Sequence, residues 1–342
     1  MKDYKNILVV RTDRVGDVVL TTPAIAALRS AFPAARISIL VAPETRDIVD
    51  GNPNLNEVLI DDRKGAHKGA PGFFALVSSL RQKKFDLAVI FHTKKRTNLL
   101  CSFAGIPARL GYKNDKFGFL LTLPIEDTRA QGSKHEAEYC LDVLKAIGVS
   151  PLPLKLDMPV KPEWEAKTAD VLKKSGILES DTLVAVHPGA SCISKRWAPE
   201  RFAAVIDSLV SASVKVVLIG GAETLKIAEE IRYSVKNPIL DLTGKTTIGE
   251  LAALLKHCHL LISNDSGPVH VAVAVGTPVV SIFGRNQKGL SPARWKPLGA
   301  KDIVLHEEVG CVICLAHNCD IDFKCLKAVT IPQVLEAAKT LL

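Results

Sequence analysis

The sequence predicts an α/β protein made of two similar halves, each with a parallel β-sheet. Short runs of valine, isoleucine and leucine alternate with helical stretches from end to end, which is the pattern of βαβ units. The proline-rich stretch Pro151–Pro159 separates two rounds of this alternation and continues to about Pro162. At 342 residues, the chain exceeds one ordinary hydrophobic core. We therefore expect domains over residues 1–160 and 161–342, with ligands in a cleft between them.

The first half contains five strand candidates and four helical candidates. Four of the strand candidates are short apolar runs with β-branched residues, at Ile7–Val10, Ile37–Val41, Val58–Ile60 and Leu87–Phe91, and the fifth is Arg109–Gly111. Longer stretches between or after them predict helices at Pro23–Ala31, Phe73–Lys83, Asn98–Ala104 and Glu136–Ile147. This alternation predicts a parallel sheet with helical crossovers.

The second half repeats the pattern. Strands are predicted at Leu183–Val186, Val214–Ile219, Ile239–Leu242, Leu260–Ser263 and Val279–Phe283. Helices are predicted at Glu200–Ser211, Thr224–Val235, Ile248–His257, Val269–Val275 and Gln333–Leu342. Thr330 is a plausible cap for the last helix, and Pro332 suits its first turn. This helix is a candidate for packing back on the N-terminal domain.

Composition narrows the classes of function. No apolar run approaches the length of a membrane span, and the run after the N-terminus is too short and strand-like for a signal peptide. We therefore expect a cytoplasmic protein with mostly reduced cysteines. The net charge of +8 favours an anionic partner. Nucleic acid is disfavoured because no recognition motif is present, whereas anionic lipids, phosphorylated glycolipids and nucleotide sugars all fit.

The most informative segment is Ser263–His270, which joins a buried strand to a helix. Asp265 and Ser266 suit a helix start, Gly267 allows the turn, and Pro268 occupies the first turn, where its missing amide costs nothing. The remaining amides carry partial positive charge. With His270 one turn further on, the segment predicts a site for a phosphate and a sugar.

The loop after the first strand, Arg11–Asp17, offers a second candidate. Gly16 frees the turn and Asp17 stands where a helix begins. Asp17 is either a capping residue or a general base aimed into the cleft. The loop lacks a GxGxxG fingerprint, which disfavours a dinucleotide-dependent dehydrogenase.

Three loops of the second half follow strands in the same way. Ser191 and Lys195 could hold phosphate oxygens, although a Lys-Arg pair such as 195–196 usually belongs to an ordinary basic surface loop. Glu223, after two glycines, suits either a ribose or the helix dipole. Thr243 precedes a glycine in a turn that by itself would be structural.

A basic group in the first half is a candidate acceptor pocket. It follows two predicted strands and comprises Lys94, Lys95, Arg96 and Arg109. A solvated basic face is an equally good interpretation of such a group.

Four cysteines lie within fifteen residues near the C-terminus. They are Cys311, Cys314, Cys319 and Cys325. The spacing could close a zinc or iron–sulfur site, but it departs from the usual pair of CxxC motifs. Buried or locally paired thiols would also account for it. Asp320 and Asp322 form a DxD sequence that we interpret as chance, because it does not end a predicted strand.

Several motifs in order resemble glycosyltransferase family nine, the ADP-heptose:lipopolysaccharide heptosyltransferases. The resemblance covers nearly the whole chain. It rests on RxDRxGD at 11–17, HPGA at 187–190, KxW at 195–197, GAE at 221–223 and NDSGPxH at 264–270. The C-terminal cysteine spacing is also similar to that of many members.

This resemblance implies a GT-B fold with two Rossmann-like domains facing a central cleft. It implies an acceptor-binding domain at 1–160, a donor-binding domain at 161–342, and inverting transfer without a metal or cofactor. By resemblance, Asp17 is the general base, and Lys195 supports catalysis by holding the diphosphate. The implied donor residues are Ser191, Glu223, Thr243, Asp265, Ser266, Gly267 and His270. The implied acceptor residues are Asp13 and the four basic residues of the group above.

The implied partners are an ADP-sugar and a lipopolysaccharide inner-core acceptor, with possible peripheral contact at the inner membrane surface. The acceptor region matches only loosely, so another nucleotide sugar and acceptor remain open. A GT-B-like epimerase and a non-catalytic nucleotide-sugar-binding protein also remain open. The binding protein would keep the Asp265–His270 loop without needing Asp17.

Overall fold

The computed structural model describes residues 2–311 and 313–342, which form two compact units. The boundary lies between Pro159 and Val160. Each unit has a parallel sheet of six strands within the described residues. The predicted α/β class with two Rossmann-like domains is therefore confirmed.

In the N-terminal unit the sheet order is β3-β2-β1-β4-β5-β6. The strands are β1 Asn6–Val10, β2 Arg36–Val41, β3 Glu57–Ile60, β4 Leu87–Ile90, β5 Ala108–Tyr112 and β6 Leu123–Ile125. The helices are α1 Val15–Val19, α2 Thr22–Ala31, α3 Gly69–Gln82, α4 Lys95–Phe103 and α5 Glu136–Lys145. The central strand β1 is fully buried from Ile7 to Val10 because helices cover both faces of a parallel sheet.

The C-terminal unit repeats this architecture with sheet order β12-β11-β10-β7-β8-β9. Its strands are β7 Leu183–His187, β8 Lys215–Leu218, β9 Leu240–Asp241, β10 Leu260–Asn264, β11 Val279–Phe283 and β12 Ile303–His306. Its helices are α6 Pro162–Lys174, α7 Pro199–Ser211, α8 Leu225–Ser234, α9 Ile248–His257, α10 Gly267–Val275, α11 Pro292–Trp295, α12 Lys324–Ala328 and α13 Ile331–Leu341.

Several elements were absent from the sequence prediction. They are β6, α6, α11, β12 and α12. Strand β6 has only three residues and contains a proline, so its apolar signal is weak. Helix α6 begins at Pro162, where the prediction ended the linker. Proline suits the first turn, and Glu163 and Lys174 lie at the ends that favour their charges.

The last helix packs against its own C-terminal unit, and a contact with the N-terminal domain stays a prediction. Thr330 caps α13, since its hydroxyl accepts from the Gln333 amide. Val334 and Ala338 are fully buried in a cluster with residues of α7, β10 and β11. Among the described residues, no helix is long and apolar enough to cross a membrane.

Candidate active site

The N-terminal unit places its polar loops where the sheet order reverses. This reversal falls between β1 and β4, and the loops that follow both strands open at the same edge. Ligands of open parallel sheets bind at such a point. The loop after β1 carries Arg11 and Asp13 and leads into α1, which carries Asp17.

Arg11 is the centre of this loop and is only 1% exposed. Its Nε lies 3.0 Å from Asp13 Oδ1, and its Nη2 lies 2.5 Å from Asp17 Oδ1. The same Nη2 reaches Glu136 Oε1, on α5, at 3.1 Å. Nη1 donates to the Phe91 carbonyl at 2.8 Å. Arg11 therefore bonds to side chains of α1 and α5 and to the backbone of the loop after β4.

Asp17 has the electrostatic surroundings of a proton acceptor. Burial raises the pKa of its carboxyl, and the nearby negative charge of Asp13 raises it further, while Arg11 and Arg14 oppose the rise. Its side chain is 16% exposed, so it lies near the surface of the unit. A carboxylate with a raised pKa takes a proton more readily than an ordinary one.

The loop after β4 adds basic groups beside these carboxylates. Lys94 Nζ lies 3.4 Å from the Thr12 carbonyl, and burial lowers the pKa of this lysine. The ring of His92 is buried, with Nε2 3.4 Å from Thr12 Oγ1. Burial and the adjacent positive charges, led by Arg11, hold the pKa of His92 well below its usual value. His92 is therefore neutral at neutral pH.

Two predicted acceptor residues have structural partners. Arg96 clamps the buried Asp61 through Nε at 2.9 Å and Nη2 at 2.7 Å. Arg109 is the second residue of β5, at the amino end of that strand, and its Nε donates to the Leu120 carbonyl at 2.7 Å. The prediction that Arg109 follows the strand was wrong, because Arg109 lies within β5. It is at the edge of the sheet opposite the one that carries Asp17.

Lys95 begins α4 with an exposed side chain. Its Nζ lies 5.9 Å from the centre of the Phe117 ring. The described contacts of this unit thus gather Asp13, Asp17 and Lys94, whereas Arg96 and Arg109 are held by other parts of the fold.

In the C-terminal unit the sheet order reverses between β10 and β7. Asn264, the last residue of β10, connects the loops that follow the two strands. Its Nδ2 donates to the Pro188 carbonyl at 2.7 Å, and its Oδ1 accepts from the Trp197 amide at 3.0 Å. The two most specific motifs of the sequence therefore meet at one point.

Lys195 and Asp265 form a largely buried ion pair at this point. Nζ lies 2.7 Å from Asp265 Oδ2, and the side chains are 13% and 6% exposed. Arg285 Nη2 lies 3.5 Å from the same carboxylate oxygen. Arg285 was missed by the sequence prediction, although it comes two residues after β11 and so follows the same rule as the other candidates. Two cations thus converge on one acid.

A buried histidine supports the start of α10. His187 Nδ1 lies 3.2 Å from Ser263 Oγ and 3.0 Å from Ser266 Oγ. Burial lowers the pKa of His187 to about 4, so its ring is neutral at neutral pH. Ser266 is the residue before α10, Gly267 begins the helix, and His270 is buried in its first turn. The first amides of α10 provide the partial positive charge that suits an anion.

The loops after β7, β8 and β9 lie close together. A Cβ on Gly189 would lie 2.4 Å from Thr224 Oγ1, and one on Gly220 would lie 2.7 Å from the Thr224 Cβ. The Gly244 amide, next to Thr243, donates to the Gly220 carbonyl at 2.8 Å. The loops after β7, β8 and β9 are therefore packed together.

These loops carry the remaining donor candidates. Ser191 and Glu223 are exposed, and Thr243 is buried. Within residues 2–311 and 313–342, the hydroxyls of Thr224 and Thr243 have no hydrogen-bond partner.

The C-terminal cysteines line a single cavity of about 850 Å³ in the C-terminal unit. All four are free thiols, so none is locally paired. Cys325 donates to the Gly284 carbonyl, and burial raises the pKa of its thiol. In the described part of the chain, no three Cys, His, Asp or Glu side chains are grouped so that they could hold a metal ion.

Two residues of the N-terminal site had no assigned role from sequence. Arg11 belongs to a recognisable motif, yet a buried arginine that holds three carboxylates cannot be inferred from spacing. Glu136 lies 125 positions from Arg11 along the chain, and only the packing of α5 brings it close. No local signal marks such a residue.

Two Rossmann-like domains, each with polar loops at the reversal point of its sheet, provide the setting in which open α/β sheets bind ligands, and the comparison with known families identifies the class as glycosyltransferase. A family model described as "Glycosyltransferase family 9 (heptosyltransferase)" matches residues 73–324. The chain belongs to glycosyltransferase family 9.

Relatives and solved structures agree with this membership. The chain is 30% identical to lipopolysaccharide heptosyltransferase 3 of Escherichia coli strain K12, over 96% of this chain and 95% of that protein. A family 9 glycosyltransferase structure from Veillonella parvula DSM 2008 superposes with a TM-score of 0.88 at 28% identity, covering 100% of this chain and 98% of that one. The E. coli ADP-heptose heptosyltransferase II structure has a TM-score of 0.81 at 24% identity, with 98% of both chains covered.

Proposed function

We propose that this protein transfers a heptose from an ADP-sugar to the inner core of a lipopolysaccharide, with inversion at the anomeric carbon. Its E. coli relative is named a lipopolysaccharide heptosyltransferase, which supports the sugar and the acceptor class. The ADP donor follows from the motif resemblance. The observation that carries the proposal is Asp17, a partly exposed carboxylate with a raised pKa that Arg11 holds in place.

In this mechanism the N-terminal unit binds the acceptor and Asp17 is the general base. Asp17 takes the proton of an acceptor hydroxyl while the hydroxyl oxygen attacks the anomeric carbon. Attack comes from the face opposite the departing diphosphate, so the configuration inverts. Asp13 and Lys94 lie beside Asp17 and are the acceptor contacts that we retain from the sequence prediction.

The C-terminal unit binds the donor. Negative charge accumulates on the departing diphosphate, and Lys195, Arg285 and the first amides of α10 are the groups that we assign to stabilise it. Because these groups supply the positive charge, we propose that the reaction needs no divalent metal. The remaining assignments are Ser191 to the diphosphate, Glu223 to the ribose, Thr243 to the nucleobase, and Asp265, Ser266 and His270 to the donor loop.

Calorimetry with ADP, UDP and GDP, without added metal, tests the donor assignment. We expect ADP to bind most tightly, and Lys195→Ala to weaken its binding at least ten-fold, since a charge-assisted contact contributes about 1.5–3 kcal/mol. Lys226→Ala, which changes an exposed lysine on α8, is the matched control and should bind ADP like the wild type. A preference for UDP or GDP would leave the transferase class intact and exclude the ADP-heptose donor.

The reaction should be localised where its acceptor is made. We propose that the protein works in the cytoplasm at the inner face of the cytoplasmic membrane, because a lipopolysaccharide acceptor is a membrane lipid. The net charge of +8 supports this location.

A further inference from the structure

One segment of the N-terminal unit has a larger excess of positive residues than the chain as a whole. Residues 63–119 contain twelve lysines and arginines and only two acidic residues, Asp86 and Asp115. The segment therefore has an excess of ten positive charges, whereas the chain as a whole has eight. Arg63, Lys83 and Arg96 pair with acids outside the segment, so cations other than these three supply its unpaired charge. Positive charge concentrated in one segment creates a local field that the net charge understates.

The same segment exposes large aromatic side chains. Phe74 is 55% exposed, Phe103 is 44% exposed and Phe119 is 79% exposed. The rings of Phe74 and Phe103 stack, with their centres 6.2 Å apart and their planes 8° from parallel. Exposed rings that pack on one another form an apolar patch in contact with water. Such patches mark sites where a protein or a membrane binds.

Helix α4 joins these rings to the basic groups. Arg96, near its start, lies 5.2 Å above the ring of Phe73, which in turn contacts Phe74 and Phe103. Lys95 lies above Phe117, which contacts Phe119 at 5.7 Å. We call this surface the aromatic–basic face.

The face extends to the end of α3. Arg81, near that end, donates to the Phe103 carbonyl at 2.6 Å. Its exposed members are Phe74, Arg81, Lys95, Phe103, Lys116 and Phe119.

We propose that the aromatic–basic face docks the protein on a lipid bilayer that contains anionic headgroups. Phenylalanine rings enter the boundary between headgroups and acyl chains, and lysines and arginines attract anionic lipids. A second copy of the chain is a poor occupant, because two such faces would bring like charges together. A bilayer supplies both the apolar phase and the opposite charge.

The face lies next to the candidate acceptor site within the N-terminal unit. Helix α4 begins directly after Lys94, whose Nζ lies 3.4 Å from the Thr12 carbonyl in the loop that leads to Asp17. Docking through α4 would therefore hold the loop of the general base close to the lipid surface. The inference rests on the membrane location in the proposed function and names the surface that makes the contact. Its test needs neither donor nor acceptor, so docking and heptose transfer can fail separately.

Co-sedimentation with lipid vesicles tests the proposal, using the full chain and no substrate. Vesicles of phosphatidylcholine with phosphatidylglycerol should bind the protein, and vesicles of phosphatidylcholine alone should bind it weakly. Binding to the anionic vesicles should weaken as salt rises from 0.1 to 0.5 M, in line with screening of about 10 Å at the lower concentration.

Substitutions on the face should reduce this binding in a graded way. Phe74→Ser and Phe119→Ser should each lower the partition coefficient about ten-fold. Arg81→Glu and Lys95→Glu should each lower it at least about five-fold. ADP affinity and thermal unfolding of each variant show whether the fold is kept.

Matched controls change exposed residues of the C-terminal unit. Tyr233 is 84% exposed and Leu178 is 65% exposed, so Tyr233→Ser and Leu178→Ser test apolar exposure alone. Both should bind vesicles like the wild type. The proposal is overturned if the wild type does not bind anionic vesicles, or if face and control variants bind equally well. It is also overturned if sedimentation velocity shows a dimer that Phe119→Ser dissociates, since the face would then be an interface between copies.

Discussion

Asp17→Asn separates the chemistry of the site from its stability. The substitution keeps the size of the side chain, and the amide oxygen still accepts the hydrogen bond that Arg11 donates at 2.5 Å. It removes the ability to take a proton. Loss of a positioned general base lowers kcat by roughly 10² to 10⁴, which corresponds to about 3 to 5 kcal/mol of barrier.

The stability of Asp17→Asn should not fall with its activity. Burial raises the pKa of Asp17, so the fold favours its protonated form. The stability that this group contributes is complete below the ordinary carboxyl pKa and is lost as pH rises through the raised value. At neutral pH the ionised carboxylate is therefore a cost to the fold. Asparagine removes that cost, but it also removes a negative charge that helps to raise the pKa of Arg11, so we expect Asp17→Asn to melt close to the wild-type temperature.

Asp142→Asn is the matched control on α5. Burial tends to raise the pKa of Asp142, but Lys134 and Lys145 outweigh it and hold the pKa below the usual value. This partly exposed ion pair should contribute at most about 1 kcal/mol, and its loss should leave kcat unchanged. Measuring kcat at saturating donor and thermal unfolding for both variants tests whether Asp17 is the general base. If Asp17→Asn retains more than a tenth of the wild-type kcat, Asp17 is not the base.

Two further predictions concern the loops of the C-terminal unit. Gly189→Ala places a Cβ 2.4 Å from Thr224 Oγ1 and should cost about 1 to 3 kcal/mol in urea unfolding, and adding Thr224→Ala should recover part of the loss. An unchanged cost in the double variant would show that the two loops do not touch. His187, with its pKa lowered by burial to about 4, should make stability fall as pH drops from about 6.5 to 4 and level off below, by about 3 kcal/mol in all. His187→Gln should lack this component, and an identical pH dependence in both proteins would contradict the assignment.

The strands were predictable because the inner ones are short, mostly apolar runs buried on both faces. Ile7–Val10 and Val279–Phe283 have this composition, and only a buried parallel strand satisfies it. Strand β6 was not predictable, since three residues around Pro124 on an edge provide almost no periodic signal.

The candidate site was predictable where chemistry follows a strand end. Asp17, Lys195 and Asp265 all obey that rule. Arg109 shows its limit, because the rule depends on which end of β5 a residue occupies, and Arg109 lies at the amino end of that strand. Glu136 shows a second limit, since tertiary packing alone brings it to Arg11.

The burial of Arg11 has a consequence for how this enzyme could change its acceptor. The guanidinium is held by Asp17, Glu136 and the Phe91 carbonyl, so the orientation of Asp17 is set when the N-terminal unit folds. The proposed base then needs no reorganisation when a sugar hydroxyl arrives. Substitutions among the surrounding lysines could therefore alter which hydroxyl is presented without rebuilding the proton acceptor. Acceptor choice and proton transfer would be separable traits, open to independent drift within one architecture.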